Sequence, residues 1–333
     1  MAQLVQQIGL KNCTSEIVER IRREFMRWDV FEKAARLAFH SSEGVIELMP
    51  ITDGTRFTMK YVNGHPLNTA QGLPTVMAFG VLADVATGRP LLVCELTLLT
   101  AIRTAAMSVL AAKYLARRDS HTMALIGNGA QSEFQALAFR ELLNIRSLRV
   151  FDTDAMATSK LVSNLEGSDL DIAVCRSAAE AAIGSDIVTT ITAEKKRATI
   201  ISADMLAPGM HLNAVGGDCP GKTELAPEVL TRSKVFVEFE SQSRIEGDVQ
   251  QMPADFPVTE VWKIFAGIET GRQSPDEITV FDSVGFALED YAAMDFVYQE
   301  ASRKGIGQEI ELVARAEDPK NLYETIIANC DRR

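Results

Sequence analysis

Apolar side chains recur at Ile17, Ile21, Phe25 and Trp28, a spacing that predicts one helix over residues 15–36. The period then shortens. Four strand-like runs follow between about 43 and 95: GVIELMP, RFTMKYV, LPTVMAFGVLAD and PLLVCELT. The turn signals Asp53-Gly54, Asn63-Gly64 and Thr87-Gly88 separate them and predict hairpins, hence a mostly antiparallel sheet. The next stretch, Thr97 to Arg117 (TLLTAIRTAAMSVLAAKYLAR), is apolar or small on nearly every face until its last turn. That pattern predicts a helix buried on all sides, against the chain itself or another subunit.

From about residue 118 the pattern alternates. MALIG, LRVFD, DIAVC, DIVTTIT, HLNAVG, KVFVE and ITVFDS are short apolar runs, with helical stretches at 131–143, 155–166 and 177–183 between the early ones. Uninterrupted apolar strands of this kind belong to a parallel sheet covered on both faces. The expected fold class is α/β. A Rossmann-type doubly wound parallel sheet occupies 118–304, and an α+β domain with a mainly antiparallel sheet occupies 1–117, with 305–333 returning to it.

Composition narrows the function. A chain of 333 residues with 47% hydrophobic and 24% charged residues is that of a two-domain globular protein. A net charge of −11 repels phosphate backbones, so nucleic acid is not an expected partner. Runs such as Val76–Leu82 and Leu91–Cys94 are shorter than the roughly 18 residues of a spanning helix, so no membrane passage is expected. The amino terminus, MAQLVQQIGLKNC, has no basic region followed by an apolar one, unlike a signal peptide. Five cysteines, at 13, 94, 175, 219 and 330, form an odd set with no Cys-x-x-Cys spacing. This predicts a reducing, cytoplasmic setting and no metal site.

The segment MALIGNGAQSEFQALAF carries a strand ending at Ile126, glycines at 127 and 129, and a helix starting near Gln131. Gly127 permits the tight turn, and Gly129 lets backbone approach a pyrophosphate seated on the helix start. Ser132 replaces the third glycine of G-x-G-x-x-G, and Asp152 follows 25 residues after the first. A carboxylate there binds the adenosine ribose hydroxyls and repels a 2′-phosphate, which predicts NAD rather than NADP. The bland alternative is a nucleotide-free relic of the fold in which Asp152 caps a helix.

Several charges stand where a core is expected. Arg103 interrupts the buried helix, and an uncompensated guanidinium there is costly. Either a protein carboxylate or a substrate carboxylate must meet it. In RFTMKYV, alternation sets Phe57, Met59 and Tyr61 on one face and Arg56, Thr58 and Lys60 on the other, which reads as solvated. Glu47 shares a face with Val45 and Met49, and Arg36 closes an apolar helix end. Several cations and one carboxylate beside a nucleotide fold suit an amino acid, with cations for its carboxylate and an acid for its amine.

The stretch NAVGGDCPGKTEL, from Asn213 to Leu225, puts an aspartate, a cysteine and a lysine on one turn after a strand of the parallel sheet. The carboxyl ends of such strands face the ligand crevice, so Asp218 is placed to shuttle a proton at an amine. The alternative is a loop aspartate bonding its own backbone. Cys219 reads as a small buried thiol.

Taken together, GGDCPGKTEL, IGNGAQSEFQALAF, ELTLLTAIRTAA, MKYVNGHP and TVFDSVGFALED resemble the ornithine cyclodeaminase/μ-crystallin family over nearly the whole chain. The resemblance implies an enzyme that oxidises L-ornithine with NAD+, closes a ring and returns the hydride, releasing ammonia and L-proline. It implies a homodimer in which the 1–117 domain binds substrate and joins sheets across the interface. By matching motifs, Asp218 is the catalytic acid–base. Arg36, Lys60 and Arg103 hold the substrate carboxylate, Glu47 lies near its amines, and Val284 lines its pocket. Thr75, Ala130, Gln131, Asp152, Thr192, Lys222 and Ser283 line the cofactor, with Gly127 and Gly129. A ketimine reductase, an amino-acid dehydrogenase, a lysine cyclodeaminase and a non-enzymatic crystallin-like binder are the rivals that the resemblance leaves open.

Overall fold

Gly9, at φ +85°, splits the first helical stretch into α1 (Ala2–Ile8) and α2 (Leu10–Phe25). The computed structural model describes residues 1–193, 197–314 and 316–327. The single helix expected over 15–36 therefore begins earlier and stops at Phe25. Beyond it a 3-10 turn at Trp28–Val30 leads into an extended run and β1 (Leu37–His40), which pairs with the start of β2 (Val45–Thr52). Strand pairing overrides the helical periodicity here, and Arg36 sits on an extended connection rather than a helix end.

β3 (Arg56–Gly64), β4 (Ala78–Asp84) and β5 (Pro90–Glu95) complete a five-stranded antiparallel sheet in sequence order. Asp53-Gly54 and Thr87-Gly88 do turn tightly between strands. Asn63-Gly64 does not; it ends β3, and a short 3-10 turn at Pro66–Gln71 lies on the longer path to β4. The Asn63 side chain holds that path, accepting from Met77 N at 2.6 Å.

The face of β3 is opposite to that expected. Thr58 and Lys60 are buried, whereas Phe57 is exposed and Tyr61 stacks on the exposed Phe79 with centroids 5.1 Å apart. The inward side gives Met49, Ile51, Val62 and Leu82 to the core, and the outward side is apolar as well, with Phe39, Phe57, Phe79 and Val93 exposed.

α3 (Thr97–Leu115) is long and apolar enough to cross a membrane by length and composition, with a hydropathy of 1.3. Within the fold 83% of that window is buried, and α3 contacts elements of both halves, so it is a core helix.

The second half contains β6 (Thr122–Ile126), α4 (Ser132–Leu143), β7 (Ser147–Phe151), α5 (Ala155–Asn164), β8 (Asp171–Val174), α6 (Ala178–Ala182), β9 (Ile187–Thr190) and β10 (Arg197–Ile201). It continues with β11 (His211–Ala214), β12 (Thr223–Leu225), α7 (Pro227–Thr231), β13 (Lys234–Val237), α8 (Glu240–Glu246), β14 (Thr259–Glu260), α9 (Val261–Phe265) and β15 (Thr279–Asp282). Eight strands form a parallel sheet in the order β14-β13-β15-β11-β9-β6-β7-β8, and β10 pairs separately with β12. Strand order reverses at β6, which makes the carboxyl ends of β6 and β9 the crevice for a ligand.

The chain leaves the parallel sheet at Asp282. The helix that follows, α10 (Ala287–Lys304), packs on α2, α3, β2 and β3, so it lies with the antiparallel sheet although the boundary was expected at 304. Ile306 packs on that same core. The short α11 (Glu324–Ile327) and its neighbours expose Leu322, Tyr323, Ile326 and Ile327. Of the tail expected to return, 315 and 328–333 lie outside the described residues, and with them Cys330.

An aromatic cluster ties the halves together. Trp28 stacks on Trp262 at 5.8 Å and meets Phe239 and Phe286 edge-on or tilted, while Phe25 meets Phe265 at 5.8 Å. Such pairs each add about 0.5–1.5 kcal/mol beyond their buried area, which fixes the crevice between the two sheets.

Candidate active site

The crevice is built from strand ends. Gly127, at φ +99°, follows β6, and a Cβ there would stand 2.6 Å from Ile191 O, so the turn admits no side chain. Gly129 has open space where a Cβ would point, and Gly129 and Ala130 are exposed at the start of α4, which no side chain caps. Unsatisfied N–H groups at such a helix start suit an anion. Gln131 Oε1 is buried nearby without a partner among the described residues. After β7, Asp152 Oδ2 accepts from Asn128 N at 2.6 Å and Oδ1 from Asp154 N at 2.9 Å. A cleft of about 900 Å³ opens beside Asp152 along α5 and β8. The residues present thus fit a dinucleotide.

After β9, Thr192 donates from N and Oγ1 to Glu224 Oε1, at 2.9 and 2.5 Å. Glu224 Oε2 accepts from Gly216 N at 2.9 Å, on the turn that carries Asp218. Lys222 Nζ donates to Thr192 O at 2.9 Å and to Asp218 Oδ1 at 3.2 Å. Burial alone would lower the Lys222 ammonium, but Asp218 and Glu224 outweigh it and hold it above its ordinary value. Asp218 itself stays half exposed at the cavity wall.

The turn 283–285 joins β15 to α10. Ser283 Oγ donates to Glu238 Oε1 at 2.6 Å, and Val284 N and Gly285 N also donate to Glu238 at 3.3 Å. From the other side, Arg36 Nη2 donates to Val284 O at 2.5 Å and Gly285 O at 2.6 Å. Arg36 Nη1 donates to Glu47 Oε2 at 3.0 Å, and Nε lies 3.0 Å from Glu246 Oε2, a charge contact without hydrogen-bond geometry. Burial alone would lower the Arg36 guanidinium; Glu47, Glu246 and Asp218 together raise it. Burial also pushes the Glu246 carboxyl up to about 7. Most of the Arg36 donors are therefore already taken by protein acceptors.

Lys60 and Arg103 are held by the start of α10. Lys60 Nζ and Arg103 Nε both donate to Asp290 Oδ1 at 3.1 Å, and Arg103 Nη1 donates to Glu289 Oε2 at 2.6 Å. So Arg103 does meet protein carboxylates, yet both cations also line the cavity. Burial lowers the Lys60 ammonium to about 8, against the opposing pull of Asp290.

These side chains converge on one cavity of about 90 Å³ between the two sheets. Arg36, Glu47, Lys60, Arg103, Gln131, Asp218, Ser283 and Val284 line it. Thr75 lies outside that lining, on the connection to β4, where its carbonyl accepts from His65 N at 2.9 Å. Cys219 is buried in the same wall. Among the described residues no cluster of three or more His, Cys, Asp or Glu side chains could hold a metal ion.

Glu224, Glu238, Glu246, Glu289 and Asp290 were not singled out by sequence reasoning. Glu289 and Asp290 end the run TVFDSVGFALED and open a helix, which reads as ordinary acidic residues in a first turn. Only their burial reveals them.

The model of the ornithine cyclodeaminase/mu-crystallin family matches residues 1–305. Ornithine cyclodeaminase of Agrobacterium tumefaciens (strain Ach5) is 52% identical over 333 residues, covering all of this chain and 93% of that protein. Among solved structures, a lysine cyclodeaminase studied for its recognition of L-lysine, L-ornithine and L-2,4-diaminobutyric acid superposes with a TM-score of 0.91 at 30% identity, over 97% of this chain and 96% of that one. An archaeal alanine dehydrogenase dimer with bound NAD gives 0.84 at 32% identity, over 90% and 95%.

Proposed function

The chain belongs to the ornithine cyclodeaminase/mu-crystallin family, and from that premise we propose that it converts L-ornithine to L-proline and ammonia with NAD+ recycled in each turnover. One observation carries the reading to this chain's own residues. Lys60 and Arg103, held together on Asp290, line the same cavity as the half-exposed carboxylate of Asp218, so a carboxylate and an amine of one small molecule are both provided for.

The cofactor is NAD. Gly129, Ala130 and Gln131 would hold its pyrophosphate, Asp152 its ribose, and Thr192, Lys222 and Ser283 its nicotinamide end. When bound it supplies the acceptor for the Cα hydride and returns that hydride after ring closure. Thr75 belongs to the junction of cofactor and substrate.

Lys60 and Arg103 bind the substrate carboxylate, and Arg36 steadies Glu47 and the Val284 carbonyl around the amines. Asp218 takes a proton from the side-chain ammonium, leaving a neutral amine to attack Cα once that carbon is an imine. The proton passes to the departing nitrogen, which leaves as ammonia. L-ornithine and the product pair, L-proline with ammonium, carry the same net charge, so a turnover neither takes up nor releases a net proton. A small enclosed cavity suits this, because water would hydrolyse the imine.

The protein acts as a homodimer in a cytoplasmic setting. The outward apolar face of the antiparallel sheet, with Phe39, Phe57 and Phe79, is the surface that a second copy covers.

Incubation with L-ornithine and catalytic NAD+ tests the reading. Proline and ammonia in equal amounts, with no lasting NADH absorbance, support it. Stoichiometric NADH without proline would make the protein a dehydrogenase.

A further inference from the structure

Asp290 brings together two cations that come from different elements. Lys60 lies on β3 and Arg103 on α3, 43 positions apart in the chain, yet both donate to the single oxygen Oδ1 at 3.1 Å. The second oxygen, Oδ2, is buried with no partner among the described residues. Asp290 thus accepts both cations on one oxygen, whose two lone-pair sites they fill, and leaves its second oxygen unused. Glu289, the preceding residue, takes Arg103 Nη1 at 2.6 Å and accepts from Phe286 N at 3.0 Å, which fixes the first turn of α10. The bonds to Asp290 and Glu289 engage Arg103 through Nε and Nη1 and leave Nη2 outside them, and they engage one of the three Lys60 N–H groups. Both side chains line the cavity.

The geometry points to Asp290 as the positioning residue of the carboxylate clamp: it sets the spacing and direction of Lys60 and Arg103 so that their remaining donors converge on one anionic group. A second consequence follows from charge. Two buried ammonium and guanidinium groups side by side repel each other, and the carboxylate between them offsets that repulsion while leaving the pair attractive to one anion. Gly285 completes the arrangement. It sits at φ +77°, and a Cβ there would stand 2.8 Å from Arg103 Nη1, so the turn before α10 leaves the guanidinium its place. Asp290 does not line the cavity, so its influence on substrate is exerted through the two cations.

The inference rests on the amino-acid reading of the cavity, and two competing ligands separate the two claims. 5-Aminovalerate keeps the carboxylate and distal amine of ornithine and lacks the α-amine. Putrescine keeps both amines and lacks the carboxylate. In Asp290→Asn the inhibition constant for 5-aminovalerate should rise at least tenfold, that for putrescine should stay within threefold, and NAD affinity should be unchanged. The KM for ornithine should rise more than kcat falls. Asp290→Glu, which keeps the charge and moves it by one methylene, supplies the same test should the Asn variant fail to fold: 5-aminovalerate weakens several-fold and putrescine does not. Equal weakening of both ligands, or none, in the variant that folds would overturn the role of Asp290 alone. If the unsubstituted enzyme is inhibited by neither ligand, the amino-acid reading falls and the clamp with it.

Discussion

Lys222 and Asp218 face each other across 3.2 Å, with the lysine side chain 5% exposed and the aspartate 50% exposed. The ammonium is locked by a second bond to Thr192 O, while the carboxylate, bonded to it through Oδ1, lines the cavity. A buried partner thus orients the Asp218 carboxylate without sealing it off from the cavity, which suits the proton transfer proposed for it.

Asp218→Asn should keep NAD affinity and lose proline formation. Removal of a positioned acid–base group costs about 10²–10⁴ in rate. Titration of NADH by fluorescence and a proline assay on the same sample check both halves, and turnover within threefold of the parent would remove Asp218 from this role.

Lys60 gives a pH signature. Its ammonium is lowered to about 8 by burial, so the cation is present below that pH and lost above it. The KM for ornithine should climb as pH rises through 8, approaching about tenfold per unit, because one clamp charge disappears. In Lys60→Met the KM should already be high at pH 7 and show no such inflection.

Gly127→Ala tests the cofactor turn. A Cβ at φ +99° meets Ile191 O at 2.6 Å, and Gly127 N already donates to Phe151 O at 3.0 Å, so the turn must open. We expect a stability loss of about 1–3 kcal/mol from backbone strain, with NAD affinity at least tenfold weaker. Denaturant unfolding and calorimetric titration separate the two effects.

His211 sets an acid limit on stability. Burial, with Arg272 nearby, lowers its pKa from 6.5 to about 3, while its ring bonds Thr279 Oγ1 at 2.9 Å and Asn213 Oδ1 at 3.2 Å. The unfolded chain therefore binds the extra proton first. The contribution is fully present above pH 6.5 and is lost as pH falls toward 3, at up to about 1.4 kcal/mol per pH unit. Glu246, raised to about 7, acts in the opposite sense: its contribution is present below pH 4.5 and lost as pH rises through 7. It is common to parent and variant, so it cancels in their difference. The stability advantage of the parent over His211→Gln, measured by urea unfolding, should shrink between pH 6.5 and 5.

The parallel sheet was legible in the sequence almost strand for strand. LRVFD became β7 and ITVFDS became β15, because strands buried on both faces must be short and uniformly apolar. The glycines at 127 and 129, Asp152 and Asp218 were legible for a related reason: each follows one of those strands at its carboxyl end. Such positions depend on local chain order, which a sequence records directly.

The other half depended on contacts between distant residues. Lys60 looked solvated because alternation says which residues share a face and not which face is inside. Its partner Asp290 lies 230 positions away, on a helix that leaves the Rossmann half to pack on the first sheet. Arg36 was placed on a helix end, but pairing of β1 with β2 drew it into an extended segment among Glu47, Glu246 and the 283–285 turn. The sequence by itself determined the fold class, the glycine turn after β6 and the strand ends that carry Asp152 and Asp218, since periodicity and glycine conformation are local properties. Only the tertiary structure decided which charges are buried, since a buried charge is tolerable only where a remote opposite charge meets it.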